Sequence, residues 1–482
     1  MIFNSLEYLI FLPVVFLLYW YVFKSLKWQN LFVVVVSYFF YGMWDCKFLL
    51  LIAFTTLCSF VTGIVIGSDV EKGNVSKAKA VCVSNVVINL LILGIFKYYN
   101  FFADSFVSFM SYLGISVHAT SLKLILPVGI SFYTFQALSY SIDVYKGKLA
   151  ATRDIISFFA FISFFPQLVA GPIERATNLL PQFAKARIFE YDKAVDGMRL
   201  ILWGLFKKIV IADNCAEFVD KVFNNYEAHN GSTLALAGLF FAFQIYGDFS
   251  GYSDIAIGTA KLFGISLRDN FRMPYFSRDI AEFWKRWHIS LNKWFVDYVY
   301  IPLGGSRCSK ILVARNVFVI FLLSGLWHGA NWTYVAWGAY HACLFLPLIM
   351  LNLNKRNTDV VAKDKKCPSA KEFFSMLLTF VLVIIGWIIF RADNITAAYD
   401  ILAKVLNVAS WENTWFSMTY KTPVIIAIFL CLIVEWINRT RAHSFEFSWI
   451  KNKYVHFAMY YFIVACIVLF SGQNVTFIYF QF

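Results

Sequence analysis

A chain of 482 residues that is 60% hydrophobic, 20% aromatic and only 15% charged falls outside the soluble globular class, in which about 25% of residues are charged. Its apolar runs are continuous where a barrel strand would alternate, which argues against a β-barrel, and several reach the ~20 residues that cross a hydrocarbon core. The formal net charge of +13 does not point to nucleic acid, because its carriers sit in short loops between apolar runs, where positive-inside topology and anionic headgroups account for them.

The fold class is therefore all-α: a polytopic helical membrane protein, read as one domain over residues 1–482. In chain order the expected spans are Leu6–Phe23, Leu31–Trp44, Phe48–Gly67, Val81–Phe96, Leu122–Tyr145, Ile155–Val169 and Val195–Ala212. Thr233–Tyr246, Ile311–Trp327, Trp332–Leu351, Phe374–Phe390, Pro423–Trp436 and Tyr454–Phe470 follow. Amphipathic or partly buried pieces are expected at Phe101–Leu113, Ser253–Phe263, Phe283–Tyr300 and Ala397–Val408. No basic n-region precedes the first run and no small-x-small site follows it, so Leu6–Phe23 is expected to remain a membrane helix. The nine cysteines are scattered singly, with no Cys-x-x-Cys pair, and imply neither a disulfide framework nor a metal site.

The stretch Arg272–Lys310 carries seven Lys/Arg against Asp279, Glu282 and Asp297, and Asn352–Glu372 carries six against Asp359, Asp364 and Glu372. Both read as cytoplasmic, as does Arg439–Lys453. The charges between Ile155 and Thr233 are mixed and leave that region's orientation open. Ile311–Trp327 and Trp332–Leu351 then form an out-and-back hairpin with Trp327-His328-Gly329-Ala330-Asn331 as its turn. The first arm is ~25 Å long at helical rise, slightly short of a full crossing, so the turn is expected below the outer surface. Irregular backbone at that depth survives only where protein buries it or a water-filled cavity passes. His328 is accordingly expected at the floor of a cavity.

An ionisable residue there is expensive and so a functional candidate. A histidine titrates near neutrality and can take a proton from a hydroxyl and return it within one cycle. The alternative is a histidine hydrogen-bonded between helices for packing. His288 falls where Trp284, Trp287, Leu291, Trp294, Phe295 and Tyr298 recur at three-and-four spacing, which predicts one amphipathic helix with an aromatic face. That helix can lie in the cytoplasmic interface, or turn His288 inward. His341 lies almost four turns beyond His328, too far along one helix to share a metal with it, and a structural hydrogen bond is the expected role. No His-Glu-x-x-His sequence occurs.

In Gln244–Asp254 two acids (Asp248, Asp254) and the Ser250 hydroxyl follow an apolar segment, and Gly247 and Gly251 predict a broken, cavity-lining helix without a Gly-x-Ser-x-Gly elbow. Pro127–Phe132 and Phe165–Arg175 predict two further breaks.

Together, Pro127–Phe132, Phe165–Arg175, Gln244–Gly258, Asp279–Tyr300, Gly325–Trp332 and the following Gly338-Ala339-Tyr340-His341 resemble the membrane-bound O-acyltransferase family. The resemblance is to its bacterial branch of alginate O-acetyltransferases and teichoic-acid D-alanyltransferases, and its core falls at about 122–345. The resemblance implies a ring of tilted helices around a central tunnel, a signature histidine at His328 and a second at His288. It implies a cytoplasmic acyl donor, with acetyl-CoA indicated by Phe165–Arg175 and Gly325–Trp332, and no bound cofactor or metal. It implies a relay partner at the outer face of the cytoplasmic membrane, of the SGNH type or a small membrane acyltransferase, that modifies an exported polysaccharide such as alginate. Trp327, Trp287, Asp248, Ser250 and His341 are then expected to line the substrate path, and Arg278, Lys285 and Arg286, with Lys293 and Arg307, to meet the donor's phosphates at the basic mouth among the lipids. D-alanyl transfer to teichoic acid is the alternative within the family. A proton-coupled transporter and a structural scaffold are the alternatives outside it, and the absence of internal repeats argues against the transporter.

Overall fold

The computed structural model describes residues 1–122, 124–168, 171–412, 421–472 and 477–478, and among them the secondary structure is helical with no strand. Among the described residues seven helices are long and apolar enough to cross a membrane: Phe48–Glu71, Val75–Tyr112, Gly231–Leu262, Lys310–His328, Trp332–Met350, Ala370–Arg391 and Lys453–Phe470. Leu6–Val22 and Thr422–Ile437 are shorter apolar helices. The chain is a multi-pass membrane protein. It packs as two compact units, one of residues 1–194 with 259–268, the other of residues 195–258 with 269–482.

In the first unit buried amides and hydroxyls tie helices together where hydrocarbon offers no water. Asn30 Nδ2 donates to the Phe183 carbonyl at 2.7 Å, Asn85 Nδ2 to Ser141 Oγ at 2.7 Å, and the Tyr41 hydroxyl to the Val128 carbonyl at 2.8 Å. Two breaks lie where the prolines forecast them. The expected span Leu122–Tyr145 is helical only from Ile130, after Gly129 at φ +72°. Its Lys123 lies outside the described residues. Ile155–Ser163 stops at Phe164, whose ψ of 107° turns the chain before the short helix Phe165–Leu168. Val169, which ended that span, and Ala170, which lies within the motif Phe165–Arg175, fall outside the described residues.

Other boundaries differ from expectation. Phe101–Leu113 is no separate piece, because it continues the helix that starts at Val75. Val195–Ala212 begins earlier, at Tyr191, and its last seven residues, Phe206–Ala212, are π-helical. The predicted break at Gly247 and Gly251 is absent: Gly231–Leu262 is one helix. Its glycines serve approach between helices, since a Cβ on Gly251 would stand 2.7 Å from the Gly204 carbonyl, and one on Gly204 2.5 Å from the Gly251 carbonyl. In hydrocarbon the helix keeps its own backbone bonds and uses glycine as a flat face.

The hairpin of Lys310–His328 and Trp332–Met350 forms as expected, with Asn331 Oδ1 accepting from Thr333 N at 3.0 Å to cap the second arm. Its arms are pressed together at Gly325, where a Cβ would lie 2.1 Å from the Tyr334 carbonyl. Gly325→Ala is therefore expected to lower stability by about 1–3 kcal/mol or more through overpacking. Gly94→Ala, which meets nothing within 4 Å, is expected to be neutral or slightly stabilising. Thermal unfolding of the two variants in detergent checks the contrast, and equal midpoints would remove the close-approach account.

Candidate active site

The site grows from two broken helices in the second unit. Asp279 caps the first, its Oδ1 accepting from Glu282 N at 2.7 Å, and the helix runs Ile280–Arg286. The expected continuous helix Phe283–Tyr300 does not exist. Trp287 is extended (φ −100°, ψ 128°), His288 is left-handed (φ 44°, ψ 53°), and a new helix runs Ile289–Phe295. Left-handed backbone is costly for a residue with a Cβ and persists only where surroundings impose it. The imposing groups are two asparagines. The Asn270 carbonyl receives Ile289 N at 2.9 Å, and Asn292 Nδ2 donates to the carbonyls of Trp284 and Trp287 at 2.7 and 2.6 Å. The break swings His288 away from any interface, to 1% exposure.

His328, the last residue of its helix, is 4% exposed. Trp327 stands beside both histidines, its ring 5.6 Å from that of His288 and 5.1 Å from that of His328. Trp337 and Phe390 close the other sides of His328 at 5.2 and 5.3 Å. Trp287 packs behind, against Phe271 at 5.0 Å and Trp387 at 4.8 Å.

A cavity of about 410 Å³ opens among the segments expected to be cytoplasmic. Lys285, Asn292, Lys293, Tyr300 and Asn354 line it together with Trp284, Phe321 and Ser324. His328 is not in its lining; Ser324, one helical turn earlier, is. Rings bridge the gap. Trp284 lies 5.5 Å from Trp337, which lies 5.2 Å from His328. The His341 ring sits between the same two indoles, 5.0 Å from Trp284 and 5.1 Å from Trp337. Its expected structural hydrogen bond is not made. Neither His341 nitrogen has a hydrogen-bond partner among the described residues, and neither do the indole N–H groups of Trp284 and Trp337. The aromatic walls exclude protein acceptors, and Gly386 leaves just enough room, since its Cβ would stand 2.7 Å from His341 Nε2.

The remaining expected site residues are spoken for. Asp248 and Ser250 lie in a buried ionic network: Lys208 bridges Asp248 and Asp213 at 2.8 and 2.7 Å, and Lys207 bridges Asp254 and Ser250 at 2.8 Å each. The second Asp248 oxygen accepts Ile478 N at 2.7 Å. Arg278 and Arg286 both engage the Glu282 carboxylate, at 3.0 and 2.8 Å, and neither lines the cavity. Lys285 does line it, donating to the Asn354 carbonyl at 2.6 Å, as does Lys293; Arg307 does not. Among the described residues no cluster of three or more His, Cys, Asp or Glu could hold a metal ion. Asn270 escaped the sequence reading altogether, because an isolated asparagine after a long helix carries no signal of its distant partners.

Residues 149–371 match the profile of the membrane-bound O-acyltransferase family. The chain is 39% identical over 413 residues to the "probable alginate O-acetylase" of Pseudomonas aeruginosa, covering 86% of this chain and 76% of that one. It is 30% identical to the peptidoglycan O-acetyltransferase of Helicobacter pylori over 98% of this chain and 95% of that one. It is 29% identical to the teichoic acid D-alanyltransferase of Bacillus subtilis over 56% of this chain and 69% of that one.

Proposed function

Since the chain belongs to the membrane-bound O-acyltransferase family and is an O-acyltransferase, we propose that it takes an acetyl group from acetyl-CoA on the cytoplasmic side and delivers it across the cytoplasmic membrane. The recipient in this reading is a relay acyltransferase at the outer face, of the SGNH type or a small membrane partner, which O-acetylates an exported polysaccharide of the alginate kind. The relatives named alginate O-acetylase and peptidoglycan O-acetyltransferase support an acetyl group and a glycan destination.

The observation that carries the reading is the line of buried polar atoms between the cavity and His328. Each unpaired buried group costs about 1–3 kcal/mol, so a run of them points to a ligand that pairs them in the working enzyme. The indole N–H groups of Trp284 and Trp337 and the ring of His341 suit the amide carbonyls and thioester of an acyl-pantetheine arm. The arm is thin and largely uncharged and can enter where its nucleotide cannot. Lys285 and Lys293 remain near the mouth for the phosphates.

In the reaction His328 takes the proton of the acceptor hydroxyl as its oxygen attacks the thioester carbonyl. The C–O bond forms, the C–S bond breaks, and the departing thiolate receives the proton. Buried aromatic walls keep water from competing for the acyl group.

Cytoplasmic-side-out vesicles given labelled acetyl-CoA are expected to pass label to material at the opposite face. Transfer from a D-alanyl carrier protein with none from acetyl-CoA would overturn the acetyl assignment, and donor-independent solute uptake would overturn the enzyme reading. Lys285→Ala with Lys293→Ala is expected to raise KM for acetyl-CoA about thirty-fold, from about 1 kcal/mol per screened charge-assisted contact, with kcat unchanged. Steady-state rates across donor concentrations check it.

A further inference from the structure

Asn270 makes an unusual set of bonds for a residue outside any helix. Its Oδ1 faces His288 Nδ1 at 3.0 Å, Ser290 Oγ at 2.9 Å and Ser290 N at 3.3 Å, and its Nδ2 donates to Ser253 Oγ at 3.2 Å. It is 1% exposed, and its backbone is pinned, with its carbonyl accepting Ile289 N at 2.9 Å. Two residues on, Arg272 N donates to the Arg286 carbonyl at 3.0 Å.

Amide oxygen and nitrogen are interchangeable by shape alone, so their assignment must come from a partner whose role is invariant. Ser290 N is such a partner, since a backbone N–H can only donate. The atom that faces it must be the amide oxygen. An oxygen cannot donate, so the His288 nitrogen facing the same oxygen must carry its proton. The neutral ring is then protonated on Nδ1 and basic on Nε2.

We propose that Asn270 is a positioning residue that locks His288 in the Nδ1–H tautomer, so that the ring takes up and gives back a proton at Nε2 alone. The proposal rests on the acyl-transfer reading for what that proton does. The hydroxyl proton must leave one oxygen and reach a departing sulfur, and a histidine beside Trp327, the indole that also touches His328, serves that exchange only if its basic nitrogen is fixed beforehand. Ring orientation is fixed by the same bond, as with the carboxylates and carbonyls that orient histidines in metal and hydrolase sites. The left-handed φ of 44° at His288 is the backbone strain that accompanies this placement.

The test begins with the full-length protein in lipid bilayers, its seven histidines labelled with nitrogen-15, and the His288 signal identified by its loss in His288→Gln. Solid-state NMR is expected to show the neutral ring protonated on Nδ1. A wild-type ring protonated on Nε2 overturns the proposal without any substitution at Asn270. This measurement needs no acyl donor, so it stands or falls separately from the acetyl-CoA reading. Asn270→Asp keeps an acceptor oxygen opposite Nδ1 and is expected to keep the Nδ1 proton and turnover within about tenfold. Asn270→Leu is expected to lose the single tautomer and to lower turnover tenfold to a hundredfold. It should also lower His288→Gln no further, because both act through one ring. Equal losses in Asn270→Asp and Asn270→Leu with the Nδ1 proton retained would make Asn270 structural only and reject the role.

Discussion

Replacing His328 with alanine is expected to lower acetyl transfer by a factor of about 10²–10⁴, the usual contribution of a positioned general base. The amount of protein in the membrane should stay unchanged. The ring occupies the end of Lys310–His328 and contacts Trp327, Trp337 and Phe390. Its removal leaves those large rings to hold the local packing. His328→Gln, similar in length but unable to accept and return a proton, should be as inactive as alanine. The check is the rate of labelled acetyl transfer in vesicles carrying matched amounts of each variant, with thermal stability in detergent measured alongside. Activity retained in either variant would remove His328 from the chemistry and leave it a packing residue.

The second large effect belongs to the ionic network and is one of stability. Lys208 and its partners Asp213 and Asp248 are each no more than about a twentieth exposed. Lys208→Met is expected to cost roughly 3–5 kcal/mol, because taking away one member of a buried ion group strands charge in a medium that cannot solvate it. The loss should spread to the end of the described chain. Asp248 also receives Ile478 N, Phe477 packs 4.2 Å from Tyr252, and Phe249 in turn packs 4.6 Å from His288. The triple change Lys208→Met, Asp213→Asn, Asp248→Asn removes the charges together and should recover most of the stability, since a buried ion group adds little net stability over neutral neighbours. Unfolding midpoints in detergent decide it. A single variant as stable as the parent, or a triple no better than the single, would show that the lysine is not the counter-charge.

Much of this protein is legible in one dimension. A membrane helix must satisfy its backbone internally and bury or expose apolar side chains, so hydropathy located five of the seven long spans nearly end to end, parts of Val75–Tyr112 and Gly231–Leu262, and the hairpin at His328. The breaks at Gly129 and Phe164 were also visible, because proline and glycine act locally. What failed were inferences in which a local pattern competed with distant partners. Gly247 and Gly251 read as a break and turned out to be a flat face against Gly204. The three-and-four aromatic spacing through Trp284–Tyr298 read as one helix. It is two, because Asn270 and Asn292 take the backbone groups that would have continued it.

The sequence by itself determined that this chain lives in a membrane and which family its motifs resemble, and it singled out His328 as the histidine to test. Only the tertiary structure decided that Asp248 and Ser250 serve lysines, that Glu282 holds Arg278 and Arg286, and that Lys285 and Lys293 stand at the cavity. It also decided that His341 is buried with no hydrogen bond among the described residues and that the Asn270 amide oxygen faces His288 Nδ1. The reason is physical: transfer to hydrocarbon is a property of each segment, whereas the partner of a buried polar group is chosen by whatever the fold brings within three ångströms.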